Sequence, residues 1–227
     1  NILEYIQNIN KKINNQQKFH KKFQKIYTKQ KKCYINNTYK KQEENKNKMN
    51  KKTYISLFSS AGVGCYGFKM ENYECIATNE LLEDRLEIQR NNKKCKYETG
   101  YIVGDITKEE TKEKIFNEIK KWNKQEKIKD IDVVVATPPC QGMSTANYKK
   151  GNEQKRNSLV VEAIKIIKKI KPKIFVMENV RAFMNTICTD IDGKDKKISE
   201  SIYKNLGQDY NIYHKIINFK DYGVPSS

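Results

Sequence analysis

Ile131-Asp132-Val133-Val134-Val135-Ala136-Thr137-Pro138-Pro139-Cys140-Gln141 is the stretch on which the fold turns. Its opening residues, Ile131–Ala136, form a short apolar run, as expected of an interior strand in a parallel sheet covered on both faces. The two prolines that follow fix φ and remove two backbone donors, so the strand cannot continue as a ladder. Cys140 is therefore presented just beyond the strand on a stiff loop. A cysteine serving only as a small core side chain would lie within the apolar run.

Outward from this strand the same alternation recurs. Thr53–Phe58 and Glu74–Asn79 predict earlier strands, and Ile174–Met177, set off by Pro172, predicts the next. Glu83–Asn91 has helical character, and Thr111–Lys124 places Ile115, Ile119 and Trp122 on one helical face. Ser158 is expected to cap a helix in which Leu159, Ala163, Ile167 and Ile170 recur at helical spacing. Ile212–Phe219 is expected to form a later strand. The β-α-β alternation predicts an α/β fold: a doubly wound, mostly parallel sheet with helices on both faces. Ligands of such sheets lie beyond the carboxyl ends of the strands. The residues to inspect are those after Phe58, Asn79, Val103, Ala136 and Met177.

The formal net charge is +18. Fifteen lysines against three glutamates lie in residues 1–52, so twelve of those charges belong to that segment and six to residues 53–227. The charge favours a polyanionic partner without identifying it. Residues 1–52, rich in Lys, Asn and Gln, are expected to be a disordered basic tail, with a DNA-clamping arm, or non-native upstream sequence read through in frame ahead of Met49, as the alternatives. Residues 53–227 are expected to be the catalytic domain. No apolar run approaches the roughly 18 residues that span a bilayer, and the first residues lack a secretory layout; the expectation is a cytoplasmic protein with no membrane partner. The six cysteines form no C-x-x-C pair, and the two histidines are far apart in sequence. Neither a zinc site nor a disulfide framework is expected.

Three further strand ends carry unusual residues. Phe58-Ser59-Ser60-Ala61-Gly62-Val63-Gly64 is a small-residue turn that lets backbone approach a ligand, without the lysine of a P-loop. Glu80 ends the second strand, where it can accept hydrogen bonds from a ribose, and Gly104-Asp105-Ile106 offers a second acceptor suited to an adenine amino group. Together they suggest a nucleoside-containing cofactor. Glu178-Asn179-Val180 follows the strand after the one that presents Cys140, and a carboxylate ending a buried strand is costly unless used or paired.

In this order, Phe58–Gly64, Glu80, Asp105, Pro138-Pro139-Cys140-Gln141 and Glu178-Asn179-Val180 resemble the ordered motifs of the DNA (cytosine-5)-methyltransferases. Arg156-Asn157-Ser158-Leu159 is similar to the segment that opens the family's intervening helix, and Asp221-Tyr222-Gly223-Val224-Pro225 to the start of its next motif. The resemblance implies a Rossmann-like fold of the S-adenosylmethionine-dependent type, with S-adenosyl-L-methionine as methyl donor and double-stranded DNA as partner. It further implies that Cys140 adds to C6 of a flipped cytosine while Glu178 engages N3, with Asn179, Pro139 and Gln141 shaping the catalytic loops. Phe58, Ser59, Ala61, Gly62, Gly64, Glu80, Asp105, Ile106 and Pro138 would surround the cofactor. A restriction–modification setting, with a cognate restriction endonuclease, follows by analogy with the family.

Two departures qualify this. Ser60 and Val63 stand where the family usually has glycine, which puts the path of the cofactor loop in question. After Pro225 the family usually continues with Gln and two spaced arginines, whereas here Ser226-Ser227 ends the chain. With no initial Met, and Met49 just before the first strand, the expectation is a sheet incomplete at the C-terminus and a fragment inactive alone. The alternatives are a transfer RNA cytosine-5 methyltransferase and an inactive nucleic-acid-binding remnant.

Overall fold

The computed structural model describes residues 52–140 and 153–223. The expectations for residues 1–51, for Gln141 and for Val224–Ser227 lie outside the described residues.

Strand β1 (Lys52–Leu57) pairs on one side with β2 (Tyr73–Glu80) and on the other with β4 (Val133–Ala136). Outside β2 lies β3 (Tyr101–Val103), and outside β4 lies β5 (Ile174–Met177). The order is β3-β2-β1-β4-β5 with every pairing parallel, so the strand sequence reverses between β1 and β4. That is the switch point at which such sheets bind ligands.

The connections are α1 (Tyr66–Met70), α2 (Glu83–Asn91), α3 (Glu109–Glu126), then α4 (Glu153–Asn157) with α5 (Leu159–Ile170). Right-handed crossovers put α1 and α2 on one face of the sheet and α3 and α5 on the other. Two cores follow. Ile55 and Leu57 meet Ile115, Trp122, Ile164 and Ile167 on one face, while Tyr54, Cys75, Leu86, Val133 and Val135 form the smaller one. Ile115 and Trp122 are fully buried, as their helical spacing predicted, and Ile119 is half-buried against them. Each large apolar side chain so removed from water contributes about 1.5–3 kcal/mol before chain entropy. No helix among the described residues is long and apolar enough to cross a membrane.

Three sequence expectations need correction. Ser158 makes no capping bond; it sits between α4 and α5, and its hydroxyl accepts the Thr189 N–H at 2.9 Å. A long-range donor has claimed the oxygen that a cap would have used. Ile212–Phe219 forms no strand: residues 213–219 are exposed, and no strand among the described residues offers them a ladder. Strand β5 is covered on one face only, with Phe175 and Met177 against the core and Ile174 and Val176 exposed.

The hairpin of β6 (Ile187–Thr189) and β7 (Asp195–Lys197), which leads into α6 (Ile198–Leu206), was not foreseen. It is anchored by Asp190. This carboxylate accepts Ser201 Oγ at 2.5 Å, Asn205 Nδ2 at 2.8 Å and Lys196 Nζ at 2.9 Å. Burial alone would raise its pKa, but the bonds from Ser201, Lys196, the Ile191 N–H and Asn205 outweigh that and hold it below the usual carboxylate range. Its contribution to stability is therefore complete above the unfolded Asp value of about 4 and is lost as pH falls through the lower folded value. Asp190→Ala, which strands buried donors, is expected to cost about 1–3 kcal/mol at pH 7. In thermal melts the difference from the parent should shrink at pH 3.

Candidate active site

A lattice of hydrogen bonds joins the carboxyl ends of all five strands. Gly104 N donates to Glu80 O at 3.0 Å, Ser59 N to Asn79 O at 3.0 Å, Thr137 N to Leu57 O at 3.2 Å, and Glu178 N to Ala136 O at 3.2 Å. Side chains reinforce it: Asn79 Nδ2 donates to the carbonyls of Ile102 (3.0 Å) and Gly104 (3.1 Å), and Thr137 Oγ1 to Phe58 O at 2.9 Å. The strand-end residues singled out from the sequence thus share one edge of the sheet.

At the β4 end, Pro138 is buried and Pro139 and Cys140 are half-buried. At the β5 end, Asn179 bridges the two loops. Its Nδ2 donates to Pro138 O at 2.7 Å while its Oδ1 accepts the Val180 N–H at 2.9 Å. Each polar atom of this one amide thus fixes a backbone group, one in the Cys140 loop and one just after Glu178. The Glu178 side chain is exposed and free of hydrogen bonds and ion pairs among the described residues. A thiol and a carboxyl are therefore offered on adjacent, mutually braced loops.

On the other side of the switch point the chain turns sharply after β1. Phe58 and Ser60 adopt left-handed backbone, φ 56° and 48°, and Gly62 has φ 85°. A Cβ on Gly62 would meet Gln89 Cγ at 2.9 Å, so both conformation and space require glycine there. Gly64 is exposed, and a Cβ there would meet nothing. Gln89 is buried in α2; its Nε2 donates to Ser59 Oγ (2.8 Å) and Ser60 O (2.5 Å), and its Oε1 accepts Thr78 Oγ1 at 2.8 Å. Ser60 occupies a left-handed position that glycine adopts without strain. Ser60→Gly is expected to raise stability by up to about 1 kcal/mol, read from chemical denaturation.

Glu80 is buried. Its Oε2 accepts Ser60 N–H at 2.8 Å, and its Oε1 accepts Leu82 N–H at 3.3 Å and faces Arg85 at 3.5 Å. A carboxylate has about four acceptor sites, so capacity remains for a diol. Asp105 Oδ1 accepts both the N–H (2.9 Å) and the hydroxyl (2.8 Å) of Thr107. Burial acts to raise the Asp105 pKa, but Thr107, Lys108 and Lys155 hold it below the usual range, so the group is an anionic acceptor at neutral pH. Ile106, the next residue, is buried in the main core, Ala61 is half-buried, and Phe58 is half-buried against the main core. Ser59 is committed internally, its hydroxyl donating to Asn79 O at 3.1 Å.

The comparison with known proteins gives the family of the chain. A family model described as C-5 cytosine-specific DNA methylase matches residues 52–227. The chain is a member of that family. Over 175 residues this methylase chain is 33% identical to Type II methyltransferase M1.HgaI of Avibacterium volantium, covering 75% of this chain and 46% of that one. It is 32% identical over 177 residues to Type II methyltransferase M.AquIA of Picosynechococcus sp., covering 77% and 67%. With Type II methyltransferase M.HhaI of Haemophilus parahaemolyticus it shares 30% identity over 174 residues, covering 76% and 45%. The methylase chain thus spans about half the length of the first and third of these relatives.

Sequence reasoning passed over three side chains that brace this strand edge: Gln89, Asn79 and Thr137. A signal existed for Asn79, a polar residue within the apolar strand Cys75–Asn79. Gln89 offered less, because a glutamine on a charged helix reads as solvated until its burial is known.

Proposed function

We propose that this chain supplies the cofactor- and cytosine-binding parts of an S-adenosylmethionine-dependent DNA (cytosine-5)-methyltransferase. The observation that carries the reading is the Asn179 bridge, which sets the Cys140 loop and the Glu178 loop side by side. The acceptor set fits the cofactor: Glu80 would hold the ribose hydroxyls and Asp105 the adenine amino group, with Ile106 and Pro138 beside it and the Phe58–Gly64 turn beneath. When bound, S-adenosylmethionine supplies an electrophilic methyl group.

Cytosine C5 is a poor nucleophile. Cys140 Sγ as thiolate adds to C6, and the electron pair of the C5–C6 double bond moves toward C5 and N3. Glu178, carrying a proton at N3, disperses the charge that builds on the ring. After C5 is methylated its proton passes to water, the C5–C6 double bond reforms and the Sγ–C6 bond breaks, freeing Cys140 as thiolate. The target carbon lies inside a duplex, so the base must be flipped out at a cost of a few kcal/mol. The relatives' designation as type II methyltransferases supports a restriction–modification role in the bacterial cytoplasm, alongside a cognate endonuclease.

The test is transfer of label from methyl-labelled S-adenosylmethionine to duplex DNA and, in parallel, to transfer RNA. Label recovered as 5-methylcytosine in DNA is the expected result for the full-length protein, the chain by itself being expected to be inactive. Label only in RNA would replace this reading with the RNA enzyme.

A further inference from the structure

Away from the catalytic edge, Cys65, Cys75 and Cys95 gather about Tyr54 in the smaller core. Cys75 lies near the amino end of β2, and Cys95 in the connection from α2 to β3. The two are paired across an isolated parallel β-bridge. Adjacent strands run about 4.8 Å apart, inside the roughly 4.4–6.8 Å Cα separation that a disulfide spans. Both side chains are buried in the same small core, with Cys75 Sγ donating to Ala77 O at 3.5 Å. Gly100 closes the site from behind. A Cβ there would come within 3.1 Å of Cys95 Cβ and 3.3 Å of its Sγ, so the missing side chain leaves Cys95 room against β2. A cavity of about 480 Å³, with Lys69, Arg90, Lys93 and Lys94 in its wall, reaches both cysteines.

We propose that Cys75 and Cys95 form a redox-active dithiol that a peroxide converts to a disulfide, a modification site at the end of the sheet opposite Cys140. Burial acts to raise the Cys75 pKa, but the Cys95 thiol, Lys94 and Tyr54 bring it below the ordinary thiol value, whereas burial and Cys75 hold Cys95 well above it. The cationic wall of Lys69, Arg90, Lys93 and Lys94 favours a thiolate in this pair, and in the proposed sequence Cys75 is the attacking sulfur and Cys95 the resolving one. Cys75 thiolate attacks one oxygen of hydrogen peroxide and the O–O bond breaks. The sulfur becomes a sulfenic acid, and the departing hydroxide becomes water with the proton that Cys75 released on ionising. Cys95 sulfur then attacks the sulfenic sulfur; the S–S bond forms, the S–O bond breaks, and hydroxide leaves with the Cys95 proton as a second water. The sulfur pair loses two electrons and the peroxide gains them.

The closed loop would contain α2, whose Gln89 holds the Ser59–Ser60 turn, and Lys94, whose ammonium donates to Thr78 Oγ1 at 3.1 Å. Oxidation should thus tighten the support of the cofactor loop without consuming Cys140. The test treats the unsubstituted protein with hydrogen peroxide and maps disulfides by non-reducing digestion and mass spectrometry. The expected product is a Cys75–Cys95 linked peptide pair, reversed by dithiothreitol, together with a thermal midpoint several degrees higher. In Cys95→Ser the link should vanish and a sulfenic-acid trap should label Cys75. A bridge to Cys65, or oxidation of Cys140 with both Cys75 and Cys95 still free, would overturn the proposal.

Discussion

Replacing Cys140 with serine is expected to lower methyl transfer to DNA by at least about a thousand-fold while leaving S-adenosylmethionine binding and the melting temperature near those of the parent. The hydroxyl that replaces the thiol is far less acidic, so almost none of it is ionised at neutral pH, and the adduct at C6 does not form at a useful rate. Structural damage should be small. The Cys140 side chain is only half-buried, and the loop is held through Pro138 O and the Thr137 backbone, which serine does not disturb. Calorimetric titration of the cofactor beside the labelled-methyl assay separates the two effects. Transfer retained within tenfold in the serine variant would remove Cys140 from the chemistry.

The second large effect is expected at Glu80. Glu80→Gln keeps the shape of the side chain but replaces a carboxylate oxygen that accepts Ser60 N–H, and its partner that accepts Leu82 N–H, with an amide able to accept through only one atom. A charge-assisted hydrogen bond is worth about 1.5–3 kcal/mol, so cofactor affinity should fall about 10- to 100-fold. The loss should appear in the dissociation constant and in KM for the cofactor, with little change in kcat at saturation. Unchanged cofactor affinity in Glu80→Gln would mean that the carboxylate serves only to tie down the turn.

The parts of this molecule legible in its sequence are those fixed by local chemistry. Ile131–Ala136 reads as an interior strand because its four consecutive apolar residues Val133–Ala136 leave no solvent face, and the two prolines after it mark where the ladder must stop. Cys140 and Glu178 stand out because each is chemically out of place at the end of such a run. Ile115 and Trp122 follow from spacing alone. What was not legible depends on partners distant in the chain. Ser158 looked like a cap until the Thr189 N–H, thirty-one residues on, took its oxygen. Gln89 supports a turn about thirty residues earlier, and nothing in its own helix advertises that. Ile212–Phe219 has the composition of a strand, but composition cannot supply the neighbouring edge that a strand needs. The β6–β7 hairpin depends on a buried carboxylate, two of whose donors, Ser201 and Asn205, lie in the next helix.

The central claim is that Cys140 sulfur bonds to the cytosine ring. Duplex DNA carrying 5-fluorocytosine tests it most directly, because fluorine at C5 cannot depart as the proton does, so the ring stays attached to sulfur. Incubated with the protein and S-adenosylmethionine, such DNA should yield a denaturation-resistant complex whose digest holds the base on the peptide containing Cys140. A complex mapped to another residue, or methylated 5-hydrogen DNA with no trapped complex from the fluorinated duplex, would contradict it.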